Sequence, residues 1–517
     1  MPNWLKDAVF YEIYPSSFYD SNGDGIGDIQ GIIQKLDYVK DLGCNAIWLN
    51  PCFDSPFLDG GYDIKDYKKV APRYGTNEDL INLFIQAHQK GIKILLDLVP
   101  GHTSDQHPWF LASKENNTNE YAGRYVWTSN AFEGIANRPY ISGMSQRAGA
   151  YMLNFFASQP ALNYGWGKVT EKWQDSYDSP NAVSTREALK DIMRYWLDLG
   201  CDGYRVDMAD SLIKEDDDKK LTSALWKEIR EMLEKDYPEA VLVSEWSNPR
   251  QAINHGGFHM DFYLDHWHNG YNTLLRDYEP NEIDNSYFLA SADRDINRFL
   301  DDYLPKYNET KENGFISFMT CNHDTPRPAR TLSQDELKIA YAFLFTMPGV
   351  PFLYYGDEIG MDYLDVENKE GGYHRTGSRT PMQWSNEKNL GFSSAEEKDI
   401  YLPIDKRDTA PTVQDQLNDK DSLLNTVKDI IHLRHINDDL KADASFEVVI
   451  RDKEKPFVYK RGNILAVVNP SLKDKTVDIN IDIVEKPMYE IGHTYKKENS
   501  ITISKQSFAL FKIINHA

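Results

Sequence analysis

Short apolar runs alternate along most of the chain with stretches whose apolar positions recur every three or four residues. The first run, AVFYEIYP at 8–15, leads through a polar, glycine-rich loop to a helical pattern over 29–42, which Gly43 closes as a C-cap. NAIWLNP follows, then a helical pattern around 78–90 stopped by Gly91, then IKILLDLVP. Continuous apolar strands separated by amphipathic helices predict a parallel sheet covered on both faces. The rhythm stops from His102 to about Pro180, in a stretch rich in Asn, Ser, Gly and Tyr with no sustained period. An excursion of that length predicts a functional insertion rather than a bare loop. The rhythm resumes with a helix over 185–199, Gly200, the strand DGYRVD, a helix over 221–235 and the strand AVLVSEW. GFHMDFYL, GFISFMTCN and VPFLYYG complete a set of eight strands, the number of a closed (β/α)8 barrel. After a last helix over 422–437 come short alternating segments (FEVVIRD, FVYKRG, NILAVVNP, TVDINI, ITISKQSFALFKII), which predict a small all-β domain. The division is therefore 1–101 with 180–442 for the barrel, 102–179 for the insertion and 443–517 for the last domain.

Composition narrows the function class. Of the 517 residues 41% are hydrophobic and 26% charged, which fits a soluble globular protein and excludes collagen-like, disulfide-rich and largely disordered chains. Lys plus Arg is 57 against 80 Asp plus Glu, a net charge of −23, so nucleic acid is not an expected partner. The acidic cluster at 215–218 reads as a solvated loop. Cys44, Cys52, Cys201 and Cys321 show neither a disulfide framework nor metal-ligand spacing, and read as buried thiols. No leader pattern opens the sequence and no run of about 20 apolar residues occurs, so no membrane partner and a reducing cytoplasm are expected. Many of the 31 Tyr and 11 Trp stand in polar surroundings. One such aromatic is ordinary core; a cluster would suit a sugar cleft, where C–H faces pack on rings.

Barrel enzymes carry their reacting groups at the C-terminal ends of strands. That rule collects Asp97 and His102 from strand three, Arg205 and Asp207 from strand four, Glu245 from strand five, and Asn322, His323 and Asp324 from strand seven. Converging carboxylates repel one another and persist where a reaction uses them. Carboxylates with Arg and His, and no Cys nucleophile, Ser-His-Asp set or phosphate loop, suit glycoside hydrolysis. Arg205 and Asp207 share one face of a strand, so the guanidinium is expected to keep Asp207 ionised as a nucleophile. Glu245, beside other negative carboxylates, is expected to hold a proton and act as the general acid.

These segments resemble the ordered signature of the α-amylase superfamily, glycoside hydrolase family 13, over nearly the whole chain. DLVPGHTS, GYRVDMADS, VSEW and TCNHD stand in that family's order. The resemblance implies Asp207 as nucleophile, Glu245 as acid/base and Asp324 as transition-state stabiliser, with Arg205, His102 and His323 holding the sugar before the scissile bond. It also implies a TIM barrel, an inserted domain after strand three and a C-terminal antiparallel β-sandwich. GGYDIKDY resembles the motif in which Tyr62 stacks on the non-reducing glucose and Asp63 helps close the pocket. FFASQPALN and SRTPMQW are similar to segments of the oligo-1,6-glucosidase and trehalose synthase side, which makes Arg379 the implied partner of Asp63. Ala161 and Gly101 depart from the family's Asp and Asn, and Met208-Ala209-Asp210-Ser211 lacks the Lys-His pair of many endo-amylases. The implied activity is a retaining, exo-acting α-glucosidase on short malto- or isomalto-oligosaccharides. A transglucosidase or isomerase of the trehalose synthase or sucrose isomerase type is the alternative. A non-catalytic, transporter-associated relative is disfavoured, because all three acids are present and no anchor is.

DSNGDGIGD at 20–28 places Asp20, Asn22 and Asp24 at alternate positions, with Gly25 for a turn, the Ile26 carbonyl and Asp28. These are hard oxygen donors for a structural Ca2+, with Mg2+ as the alternative. An EF-hand would need Glu at position 31, which is Gly31. A monomer or weak homo-oligomer acting on an α-glucoside is expected.

Overall fold

The computed structural model describes residues 1–115, 119–134, 137–278 and 283–514. All eight expected barrel strands form, each as the central part of its apolar run: β1 (Phe10–Ile13), β2 (Ala46–Leu49), β3 (Lys93–Leu98), β4 (Gly203–Val206), β5 (Val241–Ser244), β6 (Met260–Phe262), β7 (Phe315–Ser317) and β8 (Phe352–Tyr354). They pair in parallel in the order β7-β6-β5-β4-β3-β2-β1-β8. A parallel bridge between Met319 and Phe352, with the Phe352 amide donating to the Phe318 carbonyl at 2.8 Å, closes the ring.

Side chains alternate across a strand, so one set turns inward. Phe10, Trp48, Leu95, Val243, Met260, Phe262 and Phe352 fill the barrel interior, with Phe10 stacked on Phe352 at 4.3 Å. Two residues further along the same inward faces stand Glu12 and Asp97, and Arg205 lies in register with Asp97. The alternation that builds the apolar core thus delivers a polar layer to the C-terminal mouth.

The helices start and stop on legible signals. Thr76 and Asp79 form a capping box on Asn77–Gln89, and Ser422 caps Leu423–Ile436. The helix expected from 185 begins earlier, at Pro180–Leu199, because Ser179 caps it and Pro180 takes the first helical position; Gly200 ends it with φ 116°. The single helix expected over 29–42 is instead two, Ile29–Gln34 and Leu36–Asp41, broken at Lys35. The Lys35 ammonium lies 4.2 Å from the ring centroids of both Tyr19 and Trp384, and this cation–π seat takes the place of helical continuity.

The insertion leaves the barrel after β3 and returns at Pro180. It is held by bridges from His102 to Ala161 and from Tyr125 to Leu162, a hairpin of Tyr140–Ser142 with Ala150–Met152, and a small core of Val126, Met152, Ala161 and Trp166. Residues 116–118 and 135–136 of this stretch lie outside the described residues, as do 515–517 of the last domain.

The C-terminal strands are β9 (Phe446–Ile450), β10 (Phe457–Arg461), β11 (Ile464–Asn469), β12 (Lys475–Asp478), β13 (Tyr489–Ile491), β14 (Thr494–Lys497), β15 (Ser500–Ile503) and β16 (Ser507–Lys512). They form antiparallel sheets of order β9-β10-β11-β16-β13 and β12-β15-β14. Leu465, Val467 and Phe511 of the larger sheet meet Val477, Ile501 and Ile503 of the smaller in one apolar layer, which makes a sandwich. Its other face packs on the barrel. Buried Arg461 donates to the carbonyls of Thr346, Lys441 and Ala444, and the hydroxyls of Tyr459 and Thr346 are 2.6 Å apart.

Candidate active site

At the mouth of the barrel Asp59, Tyr62, His102, Phe155, Asp207, Met208, Glu245, Asp324, Tyr373 and Arg375 line a cavity of about 190 Å³. Strand ends supply the acids, the insertion supplies Phe155, and the long loop after β8 supplies Tyr373 and Arg375. The three acids assigned from the sequence therefore face one space. So do Tyr62 and His102.

Arg205 is the hub beneath that space. Its guanidinium, 1% exposed, donates to Asp97 at 2.8 Å and Asp207 at 3.1 Å, and pairs with Glu245 at 3.0 Å. Three carboxylates on one cation leave negative charge in excess. Burial raises the Asp207 carboxyl well above the ordinary carboxylate range, the charge of Glu245 adds to this, and Arg205 opposes it without prevailing. Arg205 is thus divided among Asp97, Asp207 and Glu245 rather than reserved for Asp207, as the sequence led one to expect. Met208, at φ 42°, sits in the left-handed region and turns its amide onto Glu245 at 2.9 Å, which links the two strand ends directly.

Asp324 has the opposite environment. Burial would raise it, but His323 at 3.2 Å, Arg375 at 2.7 Å and Arg379 at 2.8 Å hold it well below the ordinary range. It is a fixed anion. His323 is its counterpart: burial works against its charged form, yet Asp324 and Glu12 outweigh burial and bring it to about 9. His102 is neutral, brought down to about 4 by burial, with Nε2 at 3.1 Å from the Tyr62 carbonyl and Nδ1 at 3.0 Å from the Asn154 amide. The Tyr62 hydroxyl donates to Asp97 at 2.9 Å and meets His323 at 2.7 Å, and its ring stacks on His323 at 5.2 Å. These contacts fix the ring as one wall of the cavity.

Asp63 is not part of that wall. It is fully buried behind it, accepting from Ser55 Oγ at 3.0 Å and from the amides of Leu58 and Asp59 at 2.9 and 3.1 Å, so it shapes the turn that presents Tyr62. The expected pairing of Asp63 with Arg379 does not occur. Arg379 instead bonds Asp324 and Glu370, and the ion pair that lines the cavity is Asp59 with Arg375. Gln159 donates to the free oxygen of Asp59 at 2.6 Å. Asp59, Tyr373 and Arg375 escaped sequence reasoning because they come from loops, where no strand-end rule applies. The segment LDGGYD held the only signal, an acid three residues before Tyr62.

The loop at 20–28 closes on itself. Asp20 accepts from the amides of Asn22, Gly23 and Gly25, Asn22 from that of Asp24, Asp24 from that of Ile26, and Asp28 from Ser21 and Gly31. Among the described residues no three His, Cys, Asp or Glu side chains converge as a metal centre. Among them, too, no helix is long and apolar enough to cross a membrane. The four cysteines are buried and unpaired, as expected.

A mouth with three facing acids, a fixed arginine hub and a space of monosaccharide scale matches what comparison with known proteins finds. The family described as Alpha amylase, catalytic domain, matches residues 12–443. The chain is 33% identical over 478 residues to the trehalose synthase/amylase TreS of Mycolicibacterium smegmatis, covering 84% of this chain and 77% of that one. It is 30% identical to the oligo-1,6-glucosidase of Parageobacillus thermoglucosidasius, covering 92% of this chain and 91% of that one. Among solved structures, an isomaltulose synthase variant from Erwinia rhapontici NX5 in complex with D-glucose aligns with TM-score 0.80 at 26% identity, covering 100% of both chains. An inactive MutB double mutant in complex with isomaltulose aligns with TM-score 0.80 at 25% identity, over 99% of this chain and 100% of that one. The chain belongs to the α-amylase catalytic-domain family and is a glycoside hydrolase of the glucosidase type.

Proposed function

We propose that this enzyme is a retaining, exo-acting α-glucosidase that takes one glucose from the non-reducing end of a short α-glucoside. The observation that carries this reading is the cavity itself: about 190 Å³, lined by the Asp59–Arg375 ion pair and by Asp207, Glu245 and Asp324. A space below the roughly 300 Å³ of ordinary ligand pockets suits one sugar ring.

In this reading an Asp207 oxygen attacks the anomeric carbon while Glu245 gives its proton to the departing glycosidic oxygen. The C–O bond to the leaving sugar breaks as the bond to Asp207 forms. Water then attacks the same carbon, Glu245 takes its proton, and Asp207 leaves as carboxylate. The pair needs one proton for the first step. Burial of Asp207 beside Glu245 retains a proton there, and attack requires that it reside on Glu245. Asp324, held ionised, faces the positive charge that grows on the ring. Tyr62, His102, Arg205 and His323 position the sugar.

A second reading keeps the glucosyl-Asp207 intermediate and passes glucose to a sugar instead of water. The names of the relatives support it, since trehalose synthase and isomaltulose synthase stand beside oligo-1,6-glucosidase. Incubation with maltose, isomaltose, sucrose and trehalose separates the two. Free glucose from the first pair supports hydrolysis; an isomer without free glucose overturns it in favour of transfer. Asp207→Asn should fold normally and lose at least ~10³-fold in turnover, and full activity would remove Asp207 from the nucleophile's role.

For the loop at 20–28 we propose a structural Ca2+, with Mg2+ as the alternative, held by Asp20, Asn22, Asp24, the Ile26 carbonyl and Asp28. The all-oxygen donor set supports this; Asn22 Oδ1, Asp24 Oδ1 and Asp28 Oδ2 each accept a single amide and keep a second lone pair, whereas each Asp20 oxygen accepts two donors and would have to exchange one for the cation. Action as a monomer or weak homo-oligomer in the cytoplasm belongs to the same proposal.

A further inference from the structure

Glu12 is fully buried on the inward face of β1, in register with Trp48, and the glucosidase mechanism gives it no task. One of its oxygens is 2.8 Å from His323 Nδ1 and accepts from Asn50 at 3.2 Å; the other has no partner. A buried carboxylate with an unsatisfied oxygen costs stability that a neutral side chain would not. Packing does not require it, since the His323 ring is already held by Tyr62 at 5.2 Å, Trp48 at 5.8 Å and Tyr14 at 6.2 Å. What Glu12 alone supplies is a second anionic acceptor, opposite the first. Nε2 of the same ring faces Asp324 at 3.2 Å and the Tyr62 hydroxyl at 2.7 Å. Burial raises the Glu12 carboxyl, which His323 and Asn50 counter in part, and the Asn50 amide nitrogen also lies 3.1 Å from Nδ1; with Glu12 ionised, the two carboxylates are both satisfied only when both ring nitrogens carry protons.

We propose that Glu12 is a positioning residue: it holds His323 doubly protonated, so that Nε2–H keeps Asp324 oriented and charge-balanced toward the sugar. The proposal rests on the reading of Asp324 as the group that stabilises the transition state. Glu12 lies a full imidazole away from the reacting atoms and acts only through that ring.

The charged and titratable groups around His323 agree with this arrangement. Glu12 faces it from β1, Asp324 from its own turn, and Tyr62 and Tyr14 from the loops beside it. Asp97 reaches it through Tyr62, with Arg205 bound on the far side of Asp97. Arg379 donates to the His323 carbonyl at 2.9 Å and, with Arg375, binds the other oxygen of Asp324. Two arginines already share that oxygen, so the one facing His323 depends on the imidazolium.

The test is Glu12→Gln, which keeps the shape and removes the charge, read on enzyme labelled with 15N-histidine. His323→Gln identifies the signal among the 13 histidines. In the parent enzyme His323 should carry both ring protons throughout neutral pH. In E12Q it should lose one at least one pH unit lower, the alkaline limb of the rate profile should move down with it, and kcat should fall roughly 10- to 100-fold with KM changed by less than about threefold. Glu12→Asp, which keeps the charge, should hold the parent alkaline limb. A neutral His323 at pH 7 in the parent enzyme overturns the proposal even if E12Q does not fold, and so does an E12Q whose His323 titration and alkaline limb match the parent. If His323 behaves as expected while no glucosidase activity exists, the functional reading fails and the hold of Glu12 on His323 stands.

Discussion

Asp59 and Arg375 show how much one ion pair decides. The pair lines the cavity, and Arg375 also reaches Asp324 and the Tyr373 hydroxyl, so a single guanidinium both borders that space and steadies an acid on its wall. Arg375→Ala should raise KM for a disaccharide at least about tenfold, because losing one partner leaves the buried Asp59 carboxylate uncompensated. Asp59→Ala should do much the same, and the double variant should cost little more than either; additive losses in steady-state kinetics would show that the two act separately. The histidines give the protein opposite pH limits. His323 is raised to about 9, so its contribution is complete below the unfolded value near 6.5 and is lost as pH climbs through 9. His102 is lowered to about 4, so between roughly 6.5 and 4 the unfolded chain takes a proton that the folded site refuses, and stability falls with pH by up to ~3 kcal/mol. His102→Gln should lessen the acid-side loss of melting temperature, to which His107, lowered to about 3, still contributes, and should leave the alkaline side unchanged.

Strands and helices were legible because their signals are local. Each apolar run became a barrel strand, and Gly43, Gly91 and Gly200 stand where helices stop, whereas the Ser179-Pro180 start lies five residues before the expected one because a cap and a first-turn proline carry no apolar period. The break at Lys35 was not legible, since it depends on Tyr19 and on Trp384, which is distant in sequence. The same division runs through the site. Residues at strand ends (His102, Arg205, Asp207, Glu245, His323, Asp324) could be placed by counting, whereas Asp59 with Arg375, and Arg379 with Glu370, are loop-to-loop pairings that only the folded chain brings together. The loop at 20–28 is the element whose chemistry can be tested independently of the mouth. Its five expected donors lie within nine residues, so removing a bound cation should loosen this loop and its neighbour, where the Tyr401 amide donates to the Gly25 carbonyl at 3.0 Å and Asp20 accepts from Ser393 at 2.5 Å. Chelation should lower the melting temperature while leaving the rate of the folded enzyme nearly unchanged, and calcium should restore it. A melting temperature indifferent to chelator would argue that the Asx turns alone hold the loop.

At the scale of the whole molecule the sandwich is not an appendage. Phe457, Tyr459, Phe508 and Leu510 belong to the same apolar cluster as the barrel's outer layer, and Arg461 ties three carbonyls of the barrel side and the linker to β10. Arg461→Met would remove the arginine's donors from the Thr346, Lys441 and Ala444 carbonyls, of which Lys441 keeps the Ala444 amide, a loss of about 1–3 kcal/mol. Calorimetry should show a lower melting temperature in a single transition; a separate early transition would mean that the sandwich unfolds alone. The small volume of the cavity has a last consequence, for traffic. In the proposed reaction a space of about 190 Å³ holds little beyond the bound glucose, so the departing sugar and the incoming acceptor must pass in sequence. The leaving sugar has to move off before anything can attack the bound glucose, and whichever molecule next enters, water or a sugar that has not yet drifted away, determines the product. Free glucose, returning to the same space, should compete directly with substrate.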